Sequence, residues 1–81
     1  MDYELTRHAN ERMAERKISE KLLESAILNP TKMLYDEKGK IMFKKLYGRK
    51  NNRLLIIVCE RTENQLKVIT VIDTSRPEKY L

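Results

Sequence analysis

Leu54-Leu55-Ile56-Ile57-Val58-Cys59 is the stretch that decides the fold. It is a continuous apolar run of the kind that forms a central strand, so a sheet is expected around it. Upstream, Gly48-Arg49-Lys50-Asn51-Asn52 is a polar connection, with the residues that favour turns. Before it, Met33 and Tyr35, a turn at Asp36-Glu37-Lys38-Gly39, and then Ile41, Phe43 and Tyr47 read as a hairpin. Downstream, Thr62-Glu63-Asn64 turns the chain into Leu66 to Ile72, whose β-branched residues mark a last strand. The tail from Asp73 to Leu81 is expected to leave the sheet.

The first third of the chain has a different period. Thr6 is a candidate N-cap, Leu5, Ala9 and Met13 recur at helical spacing, and Arg7 to Arg16 contains neither Gly nor Pro. A helix is expected there. Ser19 offers a second N-cap with Glu20 in the first turn, Leu22, Leu23, Ala26 and Ile27 form an apolar face, and Asn29-Pro30 ends the pattern. The joint at Lys17-Ile18 is very short. The expected fold class is therefore α+β, ααββββ, with two N-terminal helices packed on one face of a four-stranded antiparallel sheet.

The 81 residues bound this to one domain, 1–81, with a thin core. Cys59 has no partner for an intrachain disulfide, which fits a reducing compartment. No apolar stretch approaches the roughly 20 residues that span a bilayer, and the polar start MDYELTRHANE lacks a signal-peptide core. Cytoplasm is the expected location, with no membrane association. Seventeen Lys and Arg against twelve Asp and Glu give +5, a balance suited to a polyanionic or acidic partner.

Three groups of residues could carry chemistry. His8, Arg12 and Arg16 are spaced four apart, so they form a stripe along one border of the buried face of the first helix. Guanidinium groups are permanent bidentate donors to phosphate, and imidazole moves protons near neutral pH. The same residues also suit ordinary pairing of Arg12 and Arg16 with Glu11, Glu15 or Glu20, with His8 packed at the helix start. The segment Lys44-Lys45-Leu46-Tyr47-Gly48-Arg49-Lys50, followed by Arg53, sets basic side chains around one aromatic ring, a combination that holds a phosphate backbone and stacks a base. Finally, Thr70 interrupts the last apolar run, and Thr74, Ser75 and Arg76 follow at its exit. Lys44, Tyr47, Arg49, Arg53 and Arg76 are thus candidate RNA or phosphate contacts.

Other chemistry finds little support. One His and one Cys far apart make no zinc pattern. Gly39 and Gly48 alone make no phosphate-binding glycine loop, so no cofactor is expected. The Cys59 thiol, set in an apolar run, is expected to be inert.

The stretch Thr6-x-His8-Ala9-x-x-Arg12-Met13-x-x-Arg16-x-Ile18-Ser19 resembles the opening signature of an uncharacterised bacterial and archaeal family, T-x-H-A-x-x-R-M-x-x-R-x-I-S. The helix ending at Asn29-Pro30, the hairpin with a glycine turn, the apolar strand and the closing Val68-Ile69-Thr70-Val71 follow in the family's order. That family is grouped with the barnase, EndoU, colicin and RelE fold, many of whose members are metal-independent RNA-cleaving toxins, some encoded beside an antitoxin. The resemblance implies a RelE-like domain with His8, Arg12, Arg16 and Thr70 at its active site. The expected activity is attack of the ribose 2′-hydroxyl on the adjacent phosphate of RNA, free or ribosome-bound, with an acidic antitoxin as a partner. Two alternatives stand beside it: a non-catalytic module that binds RNA or an acidic protein, and a degenerate toxin that only binds an antitoxin.

Overall fold

The computed structural model describes residues 2–81. Its order is β1 (Tyr3–Leu5), α1 (Arg7–Arg16), α2 (Glu20–Leu28), β2 (Lys32–Tyr35), β3 (Lys40–Tyr47), β4 (Arg53–Arg61), β5 (Leu66–Thr74) and α3 (Pro77–Tyr80), with a 3-10 turn at Arg49–Asn51. The α+β class holds. The sheet, however, has five strands in the order β1-β5-β4-β3-β2 and is mixed, because β1 runs parallel to β5. Four antiparallel strands behind two leading helices is therefore corrected: a strand precedes α1 and a short helix follows β5. Tyr3-Glu4-Leu5 is too short to show a period, and Leu5, which fits the helical spacing of Ala9 and Met13, belongs to β1.

Both N-caps form as their chemistry requires. The Thr6 and Ser19 side chains accept the backbone N–H of Ala9 and Leu22, each at 3.1 Å, satisfying donors that a helix start leaves open. Lys17 closes α1 in a left-handed conformation, which makes the short joint to α2 possible. Ala9 and Met13 of α1, Ile18 of the joint, and Leu23, Ala26 and Ile27 of α2 bury against Phe43, Leu55, Ile57, Cys59, Val68 and Val71. The sheet residues in this core share one face by register, since Phe43 and Val71 both lie opposite Ile57.

Strand β4 is central, as its apolar run indicates: Leu54, Leu55, Ile57 and Cys59 are fully buried and Ile56 nearly so. Burial on both faces needs cover on both sides. On the face away from α1 and α2, the C-terminal segment supplies part of it. Lys44 and Lys32, on the same face as Ile56 by register, donate to the carbonyls of Tyr80 and Leu81.

An irregularity in β5 sets how this strand meets α1. Val58 pairs with Thr70 while Cys59 pairs with Val68, so Ile69 is an extra residue in β5. Such a bulge resets the alternation of a strand. Val68 and Val71 are both buried although three residues apart. The Ile69 carbonyl accepts from the Thr6 hydroxyl at 3.0 Å, tying the bulge to the start of α1. No helix among the described residues is long and apolar enough to cross a membrane.

Thr6→Ala removes both the cap and this tie. Stability in urea should fall by about 1–2 kcal/mol, the range for losing a capping residue. Thr6→Ser, which keeps the hydroxyl, should retain most of it.

Candidate functional site

The site grows from the way α1 lies along β5. His8 Nε2 is 3.1 Å from Thr70 Oγ1, within hydrogen-bond reach, with the donor set by the histidine tautomer. At the other end of the helix, the charge of Arg16 acts on Asp73. From residue 8 to 16 a helix rises about 12 Å, and from 70 to 73 a strand advances about 10 Å. The two elements therefore run side by side in the same direction, with His8 at Thr70 and Arg16 toward Asp73. The register partners Val58 and Leu55 put Thr70 and Asp73 on opposite faces of the sheet, so α1 borders both. Arg12 is half-buried, whereas His8 and Arg16 are exposed.

The ordinary pairing of the helix arginines is not what forms. Among the described residues the salt bridges are Arg7–Glu11 and Arg53–Asp73. Neither Arg12 nor Arg16 is held by a carboxylate in this way, so both guanidinium groups keep their donors for another acceptor.

Asp73 is the residue that sequence reading passed over. Its register partner is Leu55, and the partner of Tyr47 is Arg53, which puts all three polar side chains on the helix-bearing face. The Tyr47 hydroxyl donates to Asp73 Oδ1. Arg53 Nε lies 3.2 Å from the same oxygen and 3.3 Å from the Tyr47 hydroxyl, and its Nη2 donates to Asp73 Oδ2. The Asp73 side chain is 7% exposed, so an unpaired charge there would be costly.

The electrostatics follow from this packing. Burial pushes the Asp73 carboxyl upward, but hydrogen bonds from Arg53 and Tyr47 and the charges of Arg53 and Arg16 outweigh it, leaving the group below its ordinary value. Tyr47 is raised by burial and by its bond to Asp73, against an opposing pull from Arg53. It therefore stays a neutral hydroxyl donor. Arg53 is raised by its bonds to Asp73 and Tyr47 and remains a cation. Cys59 is pushed up to about 11 by burial, which makes its thiol unreactive at neutral pH, as its setting implied.

The remaining candidates lie apart. Lys44 is on the other face, where its ammonium holds the Tyr80 carbonyl. The reason is the two-residue period of a strand: Tyr47 on the helix-bearing face puts Lys44 on the opposite one. Arg49 is exposed in the 3-10 turn, and Arg76 is exposed at the start of α3. Of the basic segment, only Tyr47 and Arg53 join the cluster around Asp73. Among the described residues, no three His, Cys, Asp or Glu side chains are grouped to hold a metal ion. A groove of about 740 Å³ is lined by Met33, Tyr35, Ile41, Phe43 and Leu66 among others and includes no residue of α1.

The Asp73 pairing has a pH signature. A carboxyl lowered in the folded state stabilises the protein above its unfolded value, and that stability is lost as pH falls through the folded value. Wild type should lose stability in urea as the pH drops below about 4, near the ordinary aspartate value. In Asp73→Asn the neutral-pH stability should be lower and this part of the acid loss should be missing.

Residues 5–73 match the family described as Domain of unknown function (DUF4258). No curated protein and no solved structure matches the chain. The match runs from the end of β1 to Asp73, taking in the helix stripe, the bulged strand and the buried carboxylate, and on it the chain belongs to the DUF4258 family.

Proposed function

We propose that the α1/β5 face binds the backbone of RNA and cleaves it without a metal, in the manner of the RelE-like toxins with which the uncharacterised family sharing the Thr6-to-Ser19 signature is grouped. The observation that carries this reading is the approach of His8 to Thr70 at 3.1 Å beside two arginines free of salt bridges. A general base needs its proton donor within hydrogen-bond reach, and a group that orients it. Thr70 is that orienting group for the His8 ring.

In the reaction, His8 takes the proton of a ribose 2′-hydroxyl as its oxygen attacks the adjacent phosphorus. The bond from phosphorus to the 5′-oxygen then breaks, that oxygen takes a proton from water, and His8 returns its proton to solvent. The products are a 2′,3′-cyclic phosphate and a 5′-hydroxyl. Arg12 and Arg16 stabilise charge on the phosphorane, a role suited to fixed, permanently charged donors. Tyr47 and Arg53, oriented by Asp73 about 10 Å further along β5, hold a neighbouring stretch of the RNA backbone. The setting is the cytoplasm, the substrate is free or ribosome-bound RNA, and the controlling partner is an acidic antitoxin that covers the same basic face.

A second reading has its own support. His8 and Arg16 lie on open surface, whereas catalytic sites commonly exclude water. A module that binds RNA or an acidic protein without turnover fits that exposure. The two readings separate in one assay.

Purified protein incubated with ribosome-bound and free RNA should yield 2′,3′-cyclic phosphate ends. His8→Ala should slow cleavage by about 10²–10⁴-fold and Arg12→Ala by about 10²–10³-fold. A 2′-deoxy residue at the cleaved position should abolish it. Cleavage that persists in both variants sinks the enzyme assignment, and salt-sensitive binding without products supports the binding module.

A further inference from the structure

Three of the exposed large apolar side chains form one run, at the sheet edge made by β2, while Leu28, Ile72, Tyr80 and Leu81 lie elsewhere. Of the large apolar residues on the surface, Met33 (49% exposed), Leu34 (43%) and Tyr35 (75%) are consecutive. Together with Lys32 they are the whole of β2, and every residue of this strand is exposed. A bare edge is a template for further pairing, and proteins usually blunt it with short strands, charges or proline. The opposite edge follows that rule, being only Tyr3-Glu4-Leu5 with a charge at its centre. From Met33 to Tyr35, β2 has neither charge nor proline.

The sequence of β2 is complementary to itself. In an antiparallel pairing centred on Leu34, Lys32 of one copy faces Asp36 of the other, Met33 faces Tyr35, and Leu34 faces Leu34. Each of these pairs also shares a sheet face, because the partners differ by an even number of residues. Beyond these pairs the ladder ends, because Glu37 and Lys38 belong to the turn into β3 and the Thr31 N–H is bonded to the Lys44 carbonyl, so no like charges are opposed.

The backbone agrees with this register. Asp36 N–H donates to the Lys40 carbonyl at 3.0 Å, so the even positions of β2 turn their bonding groups toward β3. By alternation, Met33 and Tyr35 turn theirs outward. These are the residues that face one another across the two-fold axis, and they exchange N–H and C=O bonds there. The charged pair is equally available. Lys32 spends one donor on the Leu81 carbonyl and has three. Asp36 uses Oδ1 for the N–H groups of Lys38 and Lys40, leaving Oδ2 for the ammonium.

We propose that the chain forms a two-fold dimer through β2, joining two five-stranded sheets into one continuous sheet. The occupant of the edge is a second copy because the charge pattern matches itself. β5, which carries Thr70 and Asp73, lies three strands away from this edge, at about 4.8 Å per strand, so both α1/β5 faces stay open. The dimer does not depend on the RNA reading.

Sedimentation velocity on the purified chain, as a function of concentration, tests it. Wild type should dimerise. Lys32→Glu should weaken the dimer about tenfold, since both copies of a cross-strand pair change from attraction to repulsion, while Lys21→Glu on α2 should not. Asp36→Lys alone should also weaken it, and an equimolar mixture of the two variants should restore dimerisation. Because Asp36 also holds the β2–β3 turn, a second variant gives an independent result. Leu34→Cys places two thiols opposite each other at a Cα separation of about 4.5 Å, and should cross-link rapidly under mild oxidant, with Cys59 buried and silent. Lys21→Cys should not cross-link. A chain that is monomeric at every concentration overturns the proposal, as does a dimer in which Leu34→Cys cross-links no faster than Lys21→Cys.

Discussion

The hydroxyl of Thr6 makes two bonds, and the candidate site depends on both. It accepts from the Ala9 N–H, which sets the start and direction of α1. It donates to the carbonyl of Ile69, the extra residue of β5. A helix start is thereby fixed to a strand irregularity, and the two elements leave that point side by side. Without the bulge, alternation would send Val68 and Val71 to opposite faces. With it, both are buried, Thr70 meets His8, and Asp73 falls on the face that α1 borders.

Charge on that face is organised around a single carboxylate. Asp73 takes hydrogen bonds from Tyr47 and Arg53 and feels the charge of Arg16. Two effects follow from one buried group. The carboxylate satisfies the polar atoms around it, which keeps Tyr47 and Arg53 in defined positions. It also offsets part of the positive charge near Arg16, while Arg12 and His8 are left to the open end of the stripe. The stripe is therefore graded along α1, from the carboxylate at the Arg16 end to the Thr70 hydroxyl at the His8 end.

The two sides of the sheet do different work. One carries the main core and, at its border, the polar cluster. The other is covered in part by the C-terminal segment, held by Lys44 and Lys32 on the carbonyls of Tyr80 and Leu81. Basic residues adjacent in sequence are thus divided between two tasks. Lys44 secures the chain's end, and Tyr47, three residues on, enters the cluster. Sequence proximity grouped them as one basic patch because charge and aromatic content carry no information about which face a residue takes.

Local chemistry was legible in the chain itself. Thr6 and Ser19 as caps, the α1 stripe, the Asp36-to-Gly39 turn and the buried β4 run each rest on a period or a side-chain preference spanning a few residues. His8, Arg12 and Arg16 were found for that reason. Asp73, the parallel β1 and the division of the basic segment were not, because each depends on which residues stand opposite one another across strands distant in sequence. A one-residue change of register reverses every face of a strand, and β5 contains such a change at Ile69. Short-range pattern was enough for α1, α2, the β2–β3 hairpin, β4 and the helix stripe, whereas the bulge at Ile69 and its bond to Thr6 set what that stripe faces.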